Sequence, residues 1–122
     1  MKIWLIVAGL AGAAAVALGA MAAHVSEPEA AHRLEVAVRY LMWHALALIG
    51  VAWLAGTAVC RWARLSGCLF ASGMVLFCGS LALSATTGNQ SITMLAPAGG
   101  MAFIAGWLAL AIAGLRWRSP AP

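Results

Sequence analysis

Aspartate is absent from the sequence, and glutamate occurs only at positions 27, 29 and 35. Carboxylate chemistry therefore has one short stretch to come from. No G-x-S-x-G, no H-E-x-x-H and no phosphate-cradling glycine loop offers another route to catalysis, so an enzyme is not expected. Charge of either sign is scarce, at 8% of 122 residues, against about 25% in soluble domains. A water-exposed globule could not coat its surface with so few polar groups. The net charge of +4 rests on 7 Lys and Arg. They sit in small groups beside apolar runs and form no basic stripe, which excludes nucleic acid as a partner. The three cysteines, Cys60, Cys68 and Cys78, form no C-x-x-C pair. Cys68 and Cys78 fall on one predicted helix, about 15 Å apart, too far for a disulfide. They read as small buried hydrophobes.

What remains is apolar: 65% of residues, where a soluble domain has about 45–50%. The run from Ile3 to Ala23 carries no charge and is long enough to cross a hydrocarbon core of about 30 Å. It exceeds the core of a secretory signal, so it reads as an uncleaved span. A second run, Tyr40 to Cys60, continues from an amphiphilic stretch over 24–39. There Ser26 and Glu29 have capping-box spacing, Pro28 suits a first turn, and Glu35 and Arg39 are spaced i,i+4. Arg61–Arg64 reads as a short turn. Residues 65–115 carry no charge. As one helix they would run about 75 Å, so the chain must reverse, and Gly88-Asn89-Gln90-Ser91 is the turn-forming cluster among them.

The expectation is an all-α integral membrane four-helix bundle, one domain over 1–122, with helices near 3–23, 27–59, 65–87 and 97–115. The tail 116–122 is expected to fray. Lys2, Arg61, Arg64, Arg116 and Arg118 fall on one side, Arg33 and Arg39 on the other. This bias places both termini in the cytoplasm, and Trp4, Trp62 and Trp117 sit beside the basic residues at that interface. The lipid bilayer is the first partner. Homo-oligomers or other membrane proteins are candidate partners through small-residue faces, because close backbone approach drives helix association in lipid. Helix one carries Ala8, Gly12, Ala15 and Gly19; helix four carries Gly99, Gly100, Ala102, Gly106, Ala109 and Ala113.

His44 is the one ionisable side chain well inside a span, and such residues are costly enough to mark function. Its plain reading is a structural hydrogen bond, for example to a helix-three hydroxyl. Its sharper reading is a ligand or proton contact. Helix three offers Ser72, Ser80, Ser84 and Thr87 as a polar line, either self-bonded or facing a pathway. His24 and His32 lie toward the same outer side, but their spacings match no standard metal site. No metal or cofactor is expected.

Four blocks carry a resemblance. Gly19-Ala20-Met21-Ala22-Ala23-His24 resembles a G-A-F-G-A-H signature, departing from it at Met21 and Ala22. Tyr40 to Leu48 resembles a Tyr-x-x-x-His-Ala-Leu-Ala block. Gly79-Ser80-Leu81 with Thr87-Gly88, and Pro97-x-Gly99-Gly100 with Gly106-Trp107, complete the set. Together they are similar to the small bacterial membrane proteins of domain-of-unknown-function family 423, grouped with YgdD-like proteins and animal transmembrane protein 256. The resemblance implies a four-span inner-membrane fold and no settled activity. It marks His24, Tyr40, His44, Ser80, Pro97, Gly99, Gly100 and Trp107. Two functions follow as expectations: a non-enzymatic scaffold or accessory component, or a carrier or pore for a small solute using His44 and the helix-three hydroxyls.

Overall fold

The computed structural model of the chain describes residues 1–57 and 60–117, Cys60 by its backbone alone. The expected end of helix two at Val59 and the expected fraying over 118–122 lie outside the described residues. Among the described residues five α-helices form four spans: α1 Lys2–Ala22, α2 Pro28–Leu54, α3 Cys60–Gly73, α4 Ser80–Thr87 and α5 Ala96–Leu115. A π-helical segment, Met74–Gly79, joins α3 to α4, and a 3-10 segment, Gln90–Leu95, leads into α5. All four spans, 21, 27, 27 and 26 residues long, are long and apolar enough to cross a membrane.

The distribution of side chains is that of a protein solvated by hydrocarbon. Leu10, Val16, Ile104 and Leu108 point outward and are exposed, whereas much of the interior is alanine. The buried stripe of α1 is Trp4, Ala8, Ala11, Ala15 and Ala22, packed on α2. With lipid as apolar as leucine, this arrangement gives up little: small residues let the backbones close, and dispersion between them holds the pair.

The third and fourth spans lock glycine against aromatic ring. A Cβ at Gly106 would stand 2.6 Å from Phe70 Cδ1, and one at Gly73 2.5 Å from Phe103 Cδ1. At Gly99 the obstacle is backbone: a Cβ there would come 2.9 Å from Phe77 Cα. Gly67 makes room for the Trp4 ring in the same way, at 2.9 Å. Gly19 makes an ordinary contact with Val38, and Gly100 only touches Phe77 at 4.0 Å. Gly12 has nothing within 4 Å of its Cβ position, so its place on helix one is an open outward face.

Several local readings change. The N-cap of α2 is Glu27, whose carboxylate accepts from Glu29 N at 3.0 Å and Ala30 N at 2.6 Å, in place of Ser26. Pro28 explains this: the residue before proline is held extended, which is the N-cap conformation, and proline then occupies the first helical position. The ion pair of this region, among the described residues, is Glu29 with Arg33 and not Glu35 with Arg39. Arg61–Arg64, expected as a turn, is the first turn of α3. The reversal falls earlier, around Gly56 and Thr57, where Thr57 Oγ1 donates to the Leu54 carbonyl at 2.6 Å. Arginine is a good helix former, so charge alone did not mark a break. The reversal at 88–91 is as expected: Gly88 caps α4 with φ +74°, and the Asn89 side chain accepts from Ser91 N at 3.0 Å. The π segment has no sequence signature. Gly73 and Ser80 on either side keep right-handed helical angles, so the span passes through without a break.

Candidate functional site

Two helical stripes face each other across a lateral opening. On α2, Tyr40, Trp43 and His44 follow i, i+3, i+4 spacing; on α5, Gly100, Phe103, Ile104 and Trp107 follow i, i+3, i+4, i+7. With Phe77 from the π segment and Leu46 they line a pocket of about 600 Å³. That volume lies within the range of small-molecule sites, roughly 300–1,000 Å³. No lining residue carries a formal charge.

His44 forms the floor. It is 3% exposed and stacked on Phe103, centroids 3.6 Å apart and planes 10° from parallel. Its Nε2 accepts from the Trp107 indole N–H at 3.1 Å, which leaves Nδ1 to donate to the Tyr40 carbonyl at 2.6 Å. The neutral Nδ1–H tautomer is therefore the one this network fixes. Both ring nitrogens are engaged, and neither is left to bind a metal or relay a proton. Tyr40 continues the aromatic wall, 4.8 Å from Phe77, and Phe77 meets Phe103 edge-on at 5.7 Å. Trp43 and Trp107 stand at the rim, about half exposed. Among the described residues no hydrogen bond engages the Tyr40 hydroxyl or the Trp43 indole N–H.

The other sequence-selected residues lie apart. His24 is exposed in the turn after α1, and His32 is exposed on α2. Ser80 is buried but donates to the Phe77 carbonyl at 3.0 Å, within its own span. Ser72 and Thr87 likewise bond back to Cys68 and Leu83, at 2.8 and 2.6 Å. Ser84 is the exception: fully buried, it accepts from Arg33 at 3.4 Å, and Arg33 also pairs with Glu29. The helix-three hydroxyls thus form no continuous line toward His44. Its partner is Trp107 on α5, not a hydroxyl. Pro97 stands in the first turn of α5. Among the described residues no three histidine, cysteine or glutamate side chains gather into a metal-holding set. Sequence reading missed the roles of Phe77 and Phe103 and the pairing of Trp107. The i, i+3, i+4, i+7 stripe on α5 was the available signal.

Fold and site together define a class: a small helical multi-pass membrane protein with an aromatic pocket open to the side. The chain belongs to the family described as protein of unknown function (DUF423), whose profile matches residues 18–100. Relatives match the chain over nearly their whole length. A UPF0382 membrane protein of Staphylococcus epidermidis is 36% identical over 96% of this chain and 98% of its own. One of Haemophilus influenzae is 34% identical over 95% and 96%. The UPF0382 membrane protein YwdK of Bacillus subtilis is 34% identical over 96% and 99%. No solved structure matches the chain.

Proposed function

We propose that this protein is a non-enzymatic component of the bacterial plasma membrane that holds an apolar, lipid-phase guest in its lateral aromatic pocket. The observation that carries the reading is the pocket itself: about 600 Å³ walled by Tyr40, Trp43, His44, Phe77, Phe103 and Trp107, with no charged lining. An opening between α2 and α5 at mid-span admits a molecule dissolved in the hydrocarbon, and excludes one that must first shed water. The unengaged Tyr40 hydroxyl and Trp43 N–H suit a guest with an acyl or isoprenoid body and a hydrogen-bond acceptor, such as an ester or ketone oxygen. Catalysis has no support. Glu27, Glu29 and Glu35 share the far rim, and both His44 nitrogens are engaged.

The test uses the full chain in phosphatidylcholine vesicles with a diazirine-bearing fatty-acyl probe. Adducts are expected on Tyr40, Trp43 or Trp107, with others on the outward Leu10 and Val16. Gly100→Leu fills the pocket from α5 and should remove the first group while leaving the second. An adduct map that Gly100→Leu leaves unaltered would count against the pocket.

A further inference from the structure

A second cluster lies at the opposite rim from the glutamates. We propose that Arg61, Trp62 and Arg116 form a seat for the phosphodiester of an anionic glycerophospholipid. The guanidinium carbons of Arg116 and Arg61 stand 5.3 and 5.8 Å from the centre of the one Trp62 ring. One comes from the first turn of α3, the other from the end of α5. Two cations held against one ring repel each other, the more so at a membrane interface where water screens less. A lone cation–π contact would need only one of them. No acidic side chain relieves the repulsion, since all three glutamates fall at positions 27–35, across the membrane.

The third observation is the indole itself. Trp62 Nε1 is buried and, among the described residues, has no hydrogen-bond partner. A buried donor without an acceptor is costly, and here it lies beside two groups that both seek an anion. Arg61 and Arg116 are exposed, so their long side chains can re-seat around a phosphate. Its oxygens would then accept from the guanidinium forks, the pairing for which arginine geometry is suited, and from the indole N–H uncovered by that movement. The surroundings fit a lipid more than a soluble anion. Lys2 and Arg64 belong to the same rim, and Trp53 stacks on Trp117 there at 5.0 Å, forming an interfacial aromatic belt. The headgroup would sit at this belt with its acyl chains along the span. The site shares no residue with the aromatic pocket, so each stands or falls separately.

Native mass spectrometry of the full chain in detergent, titrated separately with phosphatidylglycerol and phosphatidylcholine, tests the proposal. The wild type should bind the anionic lipid more tightly. Arg61→Gln with Arg116→Gln should weaken that binding about thirtyfold, since each basic residue near an anionic surface is worth about fivefold. Trp62→Phe keeps an aromatic face for the guanidinium groups and removes the N–H, and should weaken it about tenfold while the helical circular dichroism spectrum stays that of the wild type. Arg39→Gln, at the other rim, should leave it as it was. The proposal is overturned if the double variant and Trp62→Phe both bind phosphatidylglycerol like wild type, or if Arg39→Gln weakens binding as much as the double variant. Displacement of the lipid by equimolar inorganic phosphate would likewise overturn it, by assigning the seat to a soluble anion.

Discussion

His44 is held by three contacts of different kinds: a donor bond to its own helix, an acceptor bond to Trp107, and the face of Phe103. Removing the imidazole leaves an indole N–H without a partner in an apolar wall. Interhelical hydrogen bonds in membranes are worth about 0.6–2 kcal/mol. His44→Phe should therefore lower unfolding stability by about 1 kcal/mol, and Trp107→Phe by a similar amount. The double variant should cost less than the two together, because the second change removes a bond already lost. Detergent unfolding of the four proteins gives the cycle, and strict additivity would mean the bond contributes nothing. The sequence makes His44 stand out because it is the one ionisable group deep in a span. Its partner was not legible. Which α5 residue meets position 44 depends on how two helices are offset in space, and periodicity within either helix does not carry that offset.

At the scale of elements, adjacent glycines on α5 have opposite duties. A methyl at Gly99 would run into the backbone of the π segment, which cannot step aside, whereas one at Gly100 meets only open pocket and the edge of Phe77. Gly99→Ala should lower the melting temperature, with a cost of about 1–3 kcal/mol as for overpacked cores. Gly100→Ala should fall within about 0.5 kcal/mol of wild type. Circular dichroism melts in detergent distinguish them, and equal melts would show that the α5 approach is looser than drawn. The spans themselves were readable, because twenty or so apolar residues in a row have few alternatives. Their ends were less so. The basic group at 61–64 looked like a loop, yet arginine sits comfortably in a helix whose first turn lies at the interface. Small-residue patterns identified Gly99 and Gly106 alongside Gly12, and only the two on α5 are closely approached, Gly99 by the backbone at Phe77 and Gly106 by the Phe70 ring.

For the whole molecule, composition settles the solvent, and the asymmetry of charge suggests how the chain sits in it. Lys2, Arg61, Arg64 and Arg116 gather at one rim, and every glutamate at the other. This supports cytoplasmic termini. A green fluorescent protein fused after Pro122 should glow, and alkaline phosphatase in its place should be inactive; the reverse pattern would invert the bundle. The architecture also divides its third span between two neighbours. Before Met74–Gly79 the span leans on α5, through Phe70 at Gly106; after it the span turns to α2, through Ser84 at Arg33. The wide turn works as a swivel. Tightening those six residues to regular α-helical pitch, with none removed, would rotate everything beyond them by about 100°, swinging Ser84 away from Arg33.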